Sequence, residues 1–243
     1  MPYNRDMSAT HHLKNPKVSV VIAAYNEAPR IANVLKVVEN HPLIDEVIVV
    51  NDGSADNTSG VCKKFRIKLI ENKKNLGKTL SVKKGIEATK NDLIMLLDAD
   101  LVGLNPEAIE QLARPVLSEK VDWTLSVRKN SFLVMRLAKI DWMSGERVVP
   151  KNLLLNGLIW SRPDVGYSLE TLMNKSLLDG NHTFQSVYLP TVTNTNKSNK
   201  NSEGFISGWA KNFRMIGQIS KVVPFWEFIG QFFVMSYLNY KYR

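Results

Sequence analysis

Two carboxylates one residue apart, Asp98-Ala99-Asp100, follow directly on the apolar run Leu93-Ile94-Met95-Leu96-Leu97. Such a pair can share a divalent cation, because Mg²⁺ takes one or two carboxylates and completes its shell with phosphate oxygens and water. The bland alternative is a turn with a capping aspartate. Asp52 ends a second apolar run, Glu46 to Val50, inside the turn-forming cluster Asn51-Asp52-Gly53-Ser54. There it could accept hydrogen bonds from a base or ribose, or close an Asx-turn on its own backbone. Gly77-Lys78 stands at a helix start and could face an anion, or leave the lysine solvated. A P-loop would need glycine at position 72, where the chain has Asn72. Glu170 borders the apolar stripe Leu169, Leu172, Met173 and Leu177, as a general base or acceptor-orienting group would, or as any helix-surface glutamate would. Arg147, in Ser144-Gly145-Glu146-Arg147, reads as a loop arginine able to grip phosphate, or as a surface arginine.

These residues need elements to position them. Val18 to Ala24 is a short apolar run, read as a buried strand. After the turn Tyr25-Asn26-Glu27-Ala28-Pro29, the residues Ile31, Val34, Leu35 and Val38 recur at helical spacing. Strands at Glu46 to Val50, Ile67 to Ile70 and Leu93 to Leu97 alternate with helices from Asp56-Asn57-Thr58 to about Phe65, over Gly77 to Thr89 and from Pro106. This alternation predicts a parallel sheet covered on both faces. Ligands of such sheets bind outside the carboxyl ends of the strands, where Tyr25–Glu27, Asp52 and Asp98–Asp100 all fall. Beyond Lys120 the pattern predicts strands at Val121 to Arg128 and Phe184 to Leu189. Helices are expected over Phe132 to Ile140, from Pro163-Asp164, and twice after Gly204 with a break near Pro224; Asn194 to Ser202 reads as a loop.

Composition narrows the chemistry. The 243 residues are 44% apolar and 23% charged, enough for a core. A single cysteine, Cys62, excludes an internal disulfide and a thiolate metal cluster. The four histidines lack HExxH spacing. A dinucleotide-binding fold would place glycines in the first strand–helix turn, and Ala23 to Ala28 contains none. The net charge of +9 favours anionic partners, although no nucleic-acid motif appears. Met1 to Asn15 lacks the apolar core of a signal peptide. Val222 to Leu238 is interrupted by Pro224, Glu227, Gly230 and Gln231, too polar for a spanning helix. The expected location is cytoplasmic, with the basic and aromatic tail lying on the inner face of an anionic membrane or packed on the domain or in a homodimer.

Four ordered motifs resemble family 2 glycosyltransferases of the GT-A fold: Val18–Glu27, Asp45–Thr58, Asn75–Ala88 and Asp92–Leu101. The resemblance covers about the first 120 residues. It implies an α/β fold with a mostly parallel central sheet flanked by helices, followed here by a C-terminal amphipathic helical tail. It also implies that Ala24, Tyr25, Glu27 and Asp52 hold the nucleotide base and ribose. Gly77, Lys78 and Asp98 would lie against the nucleotide-sugar. Asp98 and Asp100 match the family's D-x-D pair, whose second aspartate usually binds Mn²⁺ or Mg²⁺ on the donor diphosphate.

The later half is similar to small bacterial members such as glucosyl-3-phosphoglycerate synthases and polyprenyl-phosphate sugar transferases. Gly145-Glu146-Arg147 matches a G-x-R motif, and Gly166–Glu170 a G-Y-G-x-E motif with Ser168 in place of glycine. Where some relatives supply a metal-binding histidine, this chain reads Asn194-Thr195-Asn196-Lys197, and Lys197 could contact the diphosphate. The implied organisation is an extension over 1–15, a catalytic domain over 16–203 (nucleotide half 16–120, acceptor half 121–203) and helices over 204–243. The implied reaction moves a sugar from a nucleotide-diphosphate sugar to a lipid-phosphate or small-molecule acceptor, with Glu170 and Arg147 as catalytic groups and Mg²⁺ or Mn²⁺ as cofactor. The competing readings are a nucleotidyltransferase and a non-catalytic basic module or scaffold of the same fold.

Overall fold

A computed structural model of the chain describes residues 17–155, 160, 168–195 and 225–241. The extension over 1–15, the residues Pro163-Asp164, Lys197 and the first expected tail helix lie outside the described residues.

Strand β1 (Val18–Ala24) lies inside the parallel, N-terminal part of the sheet. It pairs in parallel with β2 (Ile44–Asn51) and with β4 (Leu93–Leu96), and β2 pairs in parallel with β3 (Lys68–Glu71). Successive side chains of a strand point to opposite faces. Val20 and Ile22 therefore enter one core while Val21 enters the other, and all three are buried. That is why β1 reads as a continuous apolar run.

Helices α1 (Ile31–Val38) and α4 (Pro106–Leu117) cover the first face. All four residues of the predicted α1 stripe are buried. In α4, Asn105 caps the helix by accepting from the Ala108 amide at 2.8 Å, with Pro106 in the first turn. The short α2 (Thr58–Cys62) follows β2. On the other face, α3 (Lys78–Glu87) and α7 (Ser168–Asp179) pack Val82, Ile86, Met173 and Leu177 around Val21, Ile94, Trp123 and Phe184.

The second half departs from simple alternation. Beyond β4 the sheet continues with β7 (Arg147–Pro150), β6 (Trp123–Arg128) and β8 (Phe184–Leu189), giving the order β3-β2-β1-β4-β7-β6-β8. Strand β7 is antiparallel to both neighbours, and β6 and β8 are parallel to each other. The sheet is mostly parallel, as expected, with one reversed strand that the sequence reading placed in a loop. Four residues give no alternation long enough to detect. A small ribbon of β5 (Leu101–Val102) and β9 (Thr193–Asn194) closes over the end of β4.

Helix α5 (Leu133–Leu137) is shorter than the expected Phe132 to Ile140, and α6 (Lys151–Leu154) is a single turn. The C-terminal helix α8 (Phe225–Lys241) starts just past Pro224. Its buried residues Gln231, Met235 and Asn239 dock on α7 and β8. Among the described residues, no helix is long and apolar enough to cross a membrane.

The close seat of α3 depends on Gly85. A Cβ there would meet the Val21 side chain inside van der Waals distance and Val50 Cγ2 at 3.3 Å. Both are stiff, β-branched core residues. Gly85→Val should cost about 1–3 kcal/mol through overpacking. A lower urea midpoint at unchanged m-value would show it; wild-type stability would mean that α3 can shift freely.

Candidate active site

The carboxyl ends of β1, β2 and β4 carry three loops, the first two of which are bonded to each other. The β1 turn is zipped to the β2 turn: the Asn26 amide donates to Ser54 Oγ at 2.9 Å, the Glu27 amide to Thr58 Oγ1 at 2.9 Å, and the Ala28 amide to Asp56 Oδ2 at 3.1 Å. Asn26 adopts φ 56°, a left-handed conformation that asparagine tolerates, and its side chain accepts from the Ala55 amide. Glu27 is buried and bonds Arg30 Nε at 2.5 Å, so it braces the turn from within. The Arg30 guanidinium lies above its usual range, chiefly through that bond, and Asp100 adds to the effect. Ala24 is buried and contributes its carbonyl to the Asp52 amide. Tyr25 is 47% exposed, leaving its ring open to a ligand.

Asp52 is buried, and its carboxylate is already engaged. Oδ1 accepts from Asn72 Nδ2 and from the Leu76 amide, both at 2.8 Å, and Oδ2 accepts from the Gly77 amide at 2.9 Å. Asp52 thus ties the loop over 72–77 to the end of β2. Gly77 takes φ 89° and turns the chain into α3, a conformation that costs glycine little. The loop and the glycine together set Lys78 at the start of the helix.

Lys78 Nζ lies 2.8 Å from Asp98 Oδ1 and 2.8 Å from Glu170 Oε1. One ammonium therefore joins the end of β4 to the first turn of α7. On the other side of Asp98, Arg128 Nη1 stands 3.7 Å from Oδ2, 3.0 Å from Glu146 Oε1, and Arg128 Nη2 is 3.7 Å from Asp141. Burial opposes ionisation of Asp98, but the Lys78 and Arg128 charges overcome it and hold the carboxyl down at about 2. Lys78 is pushed the opposite way: burial favours the neutral amine, and Asp98 and Glu170 prevail and raise it. Glu146 is fully buried, and that burial raises its pKa against the pull of Arg128. Its carboxyl is bonded by Ser126 Oγ at 2.6 Å and Ser144 Oγ at 2.7 Å.

Arg147 requires a correction. It is not a loop arginine but the first residue of β7, with no exposed surface. It donates to Asn174 Oδ1 at 3.1 Å and to the Ser144 carbonyl, and its guanidinium lies 6.0 Å from the Trp123 ring centroid. Burial pulls its pKa down. In this arrangement it cannot reach a phosphate. The arginine that does face the cleft is Arg128, at the end of β6, which the sequence reading did not single out. Its only sequence signal was position: a charged residue at the end of an apolar strand.

A cleft of about 320 Å³ opens over Lys78, Asp98, Arg128, Ser131, Phe132 and Glu170. A larger groove of about 570 Å³ runs beside α4 past Glu107, Glu110 and Arg114, and holds none of these converging groups. Asp100, two residues past Asp98, accepts at Oδ2 from Thr195 Oγ1 at 3.1 Å. Among the described residues, no three His, Cys, Asp or Glu side chains are arranged to hold a metal. Asp98 is committed to Lys78 and Arg128, which leaves Asp100 as the available carboxylate. That donor set fits a hard cation that draws the rest of its shell from phosphate and water rather than from a protein cage.

The Gly-x-Arg stretch also has a different meaning from the one expected. A Cβ at Gly145 would stand 2.7 Å from Asp98 Oδ1 and 3.0 Å from Oδ2. The glycine leaves room for the carboxylate. Gly145→Ala should destabilise the fold by about 1–3 kcal/mol, and the loss should shrink in an Asp98→Ala background, where the clashing oxygens are gone. Urea unfolding of the four-member cycle tests this; strictly additive losses would contradict it.

Residues 19–165 match the family "Glycosyl transferase family 2". Among curated relatives, the chain is 26% identical over 168 residues to a poly-beta-1,6-N-acetyl-D-glucosamine synthase of Staphylococcus epidermidis, covering 65% of this chain and 40% of that one. It is 27% identical over 124 residues to a dodecaprenyl-phosphate galacturonate synthase of Rhizobium johnstonii, covering 47% of this chain and 36% of the other. The chain thus spans well under half the length of these relatives. The fold is similar to glucosyl-3-phosphoglycerate synthase of Mycobacterium tuberculosis, solved with Mn²⁺, uridine diphosphate and phosphoglyceric acid. The TM-score is 0.67 at 21% identity, over 85% of this chain and 78% of that one. The family match over more than half of its length makes this chain a member of glycosyl transferase family 2.

Proposed function

We propose that the chain is a metal-dependent glycosyltransferase that moves a sugar from a nucleoside diphosphate sugar to a phosphorylated acceptor. The observation that carries this reading is the Lys78 bridge between Asp98 and Glu170 at the floor of a cleft on the carboxyl edge of the sheet. Family membership and the Mn²⁺ and uridine diphosphate bound by the Mycobacterium tuberculosis enzyme support the donor class. The names of the relatives, one acting on dodecaprenyl phosphate and one solved with phosphoglyceric acid, support a phosphorylated acceptor, lipid-borne or small.

Each group then has a task. Tyr25 faces the base, and the turn from Ala24 to Glu27 fixes the ring's position. Asp52 acts on the donor chiefly through the loop it holds, which sets the Gly77-Lys78 start of α3 against the diphosphate. Asp100, with Asp98 behind it, would hold Mg²⁺ or Mn²⁺. A bound divalent cation supplies positive charge where the leaving nucleoside diphosphate becomes more negative. Lys78 and Arg128 add fixed cations on the same edge. Glu170 is placed to take the proton of an acceptor hydroxyl. An acceptor phosphate is already ionised and needs no base, and Arg128 and Lys78 then serve to attract it.

A thermal-shift panel of UDP-, GDP-, dTDP- and CDP-sugars, with and without Mn²⁺, tests the donor assignment. A nucleotide at a hundred times its Kd should stabilise the protein by about 2.7 kcal/mol. The shift should require metal and vanish in Asp100→Ala. Glu170→Gln should keep the shift and lose about 10²–10⁴-fold in turnover with a hydroxyl acceptor; near-normal turnover would remove Glu170 as the base. A folded protein that no nucleotide shifts would contradict the transferase reading.

A further inference from the structure

One rim of the cleft is built unlike the rest of the surface. Phe132, Leu133, Val134 and Leu137 are 57%, 65%, 59% and 74% exposed, while their neighbour Met135 turns inward and is buried. Phe132 and Met135 also line the cleft, so the apolar edge is continuous with the candidate site. The same segment carries Lys129, Arg136 and Lys139, all exposed. Between residues 129 and 140 there is no Asp or Glu. Apolar side chains ringed by cations without a carboxylate are what an anionic lipid headgroup layer selects: the cations meet the headgroups and the apolar groups enter the acyl boundary.

A second exposed surface begins at the same corner. Asn239 Nδ2 of α8 donates to the Lys139 carbonyl at 3.0 Å, and its Oδ1 accepts from the Ser186 amide at 2.9 Å. These bonds tie the end of α8 to the end of the α5 segment. From that junction the opposite face of α8 presents Tyr240, Tyr237, Phe233, Ile229 and Trp226, spaced at three and four residues and all exposed. Tyr and Trp favour the membrane–water interface, where the ring is buried and the polar tip stays wet.

The other occupant to consider is a second copy of the chain. A two-fold interface sets the same patch against itself. Here it would bring Lys129, Arg136 and Lys139 against their own copies with no carboxylate in the segment to answer them, and like-charge juxtaposition is unfavourable.

We propose that the α5 rim, from Lys129 to Lys139, is a docking surface for an anionic lipid bilayer, with the aromatic face of α8 beside it. Docked this way, the mouth of the cleft faces the headgroups. The docking stands on the surface alone; that the bilayer presents the phosphorylated acceptor to the cleft rests on the transferase reading above.

The test is flotation of the full chain with vesicles of phosphatidylcholine, with and without phosphatidylglycerol. The wild type should float with the anionic vesicles and release in high salt. Leu133→Glu/Leu137→Glu should bind at least about tenfold more weakly. Arg136→Gln/Lys139→Gln should lose the preference for phosphatidylglycerol, and all variants should keep the wild-type melting temperature. A wild type that stays unbound, or a Leu133→Glu/Leu137→Glu variant that binds like wild type, overturns the proposal. So does a dimer seen by light scattering that this variant dissociates while vesicles bind neither form. The nucleotide thermal shift on the same preparations separates the two readings. Docking lost with the shift retained sinks only the docking surface, and docking retained with no shift from any nucleotide sinks only the transferase reading.

Discussion

The structure turns on one ammonium group. Lys78 lies between a carboxylate that ends a buried strand and a carboxylate in the first turn of a helix 92 residues later. Removing two carboxylates from water this close together is costly unless a cation is fixed between them. The lysine meets that need and joins the two halves of the domain by the same contact. Everything upstream serves its placement. Asp52 holds the loop over 72–77 by three bonds, Gly77 makes the turn, and Gly85 lets α3 lie close against β1 and β2.

Arg128 and Glu146 complete the cluster from the opposite side. Glu146 is fully buried and the Arg128 side chain is largely so, and burial strengthens the interaction between them. Glu146, bonded by two serines and by Arg128 Nη1 at 3.0 Å, holds the guanidinium beside Asp98. Asp98, held down at about 2, stays ionised throughout the neutral range. A depressed carboxyl of this kind contributes stability above its unfolded pKa and loses it as the pH falls from about 4 towards 2. The cluster is thus held together by the protein's own groups.

What the sequence made legible was local. Apolar runs ending in polar turns located β1, β2 and β4 and put Tyr25, Asp52 and Asp98 on one edge, since that inference needs only periodicity and the rule for parallel sheets. The α1 stripe and the helix start at Pro106 were equally visible. What stayed hidden depends on pairing between distant segments. Arg147 looks like a loop arginine until β7 is inserted antiparallel between β4 and β6, which buries it and brings Gly145 against Asp98. Arg128 looks like the ordinary end of a strand until the same insertion sets it beside Asp98. The sequence reads Phe132 to Ile140 only as a helix, and the fold reveals that Phe132, Leu133 and Val134 face outward.

The most direct test of this account is Lys78→Gln, with two readouts on one preparation. The glutamine removes the charge while keeping much of the side chain, leaving Asp98 and Glu170 to face each other. The account predicts a lower melting temperature, together with at least about tenfold weaker calorimetric affinity for the nucleotide-sugar that stabilises the wild type. A variant that melts like wild type and binds the nucleotide as tightly would contradict the claim that this single bridge carries both the fold of the site and its grip on the donor.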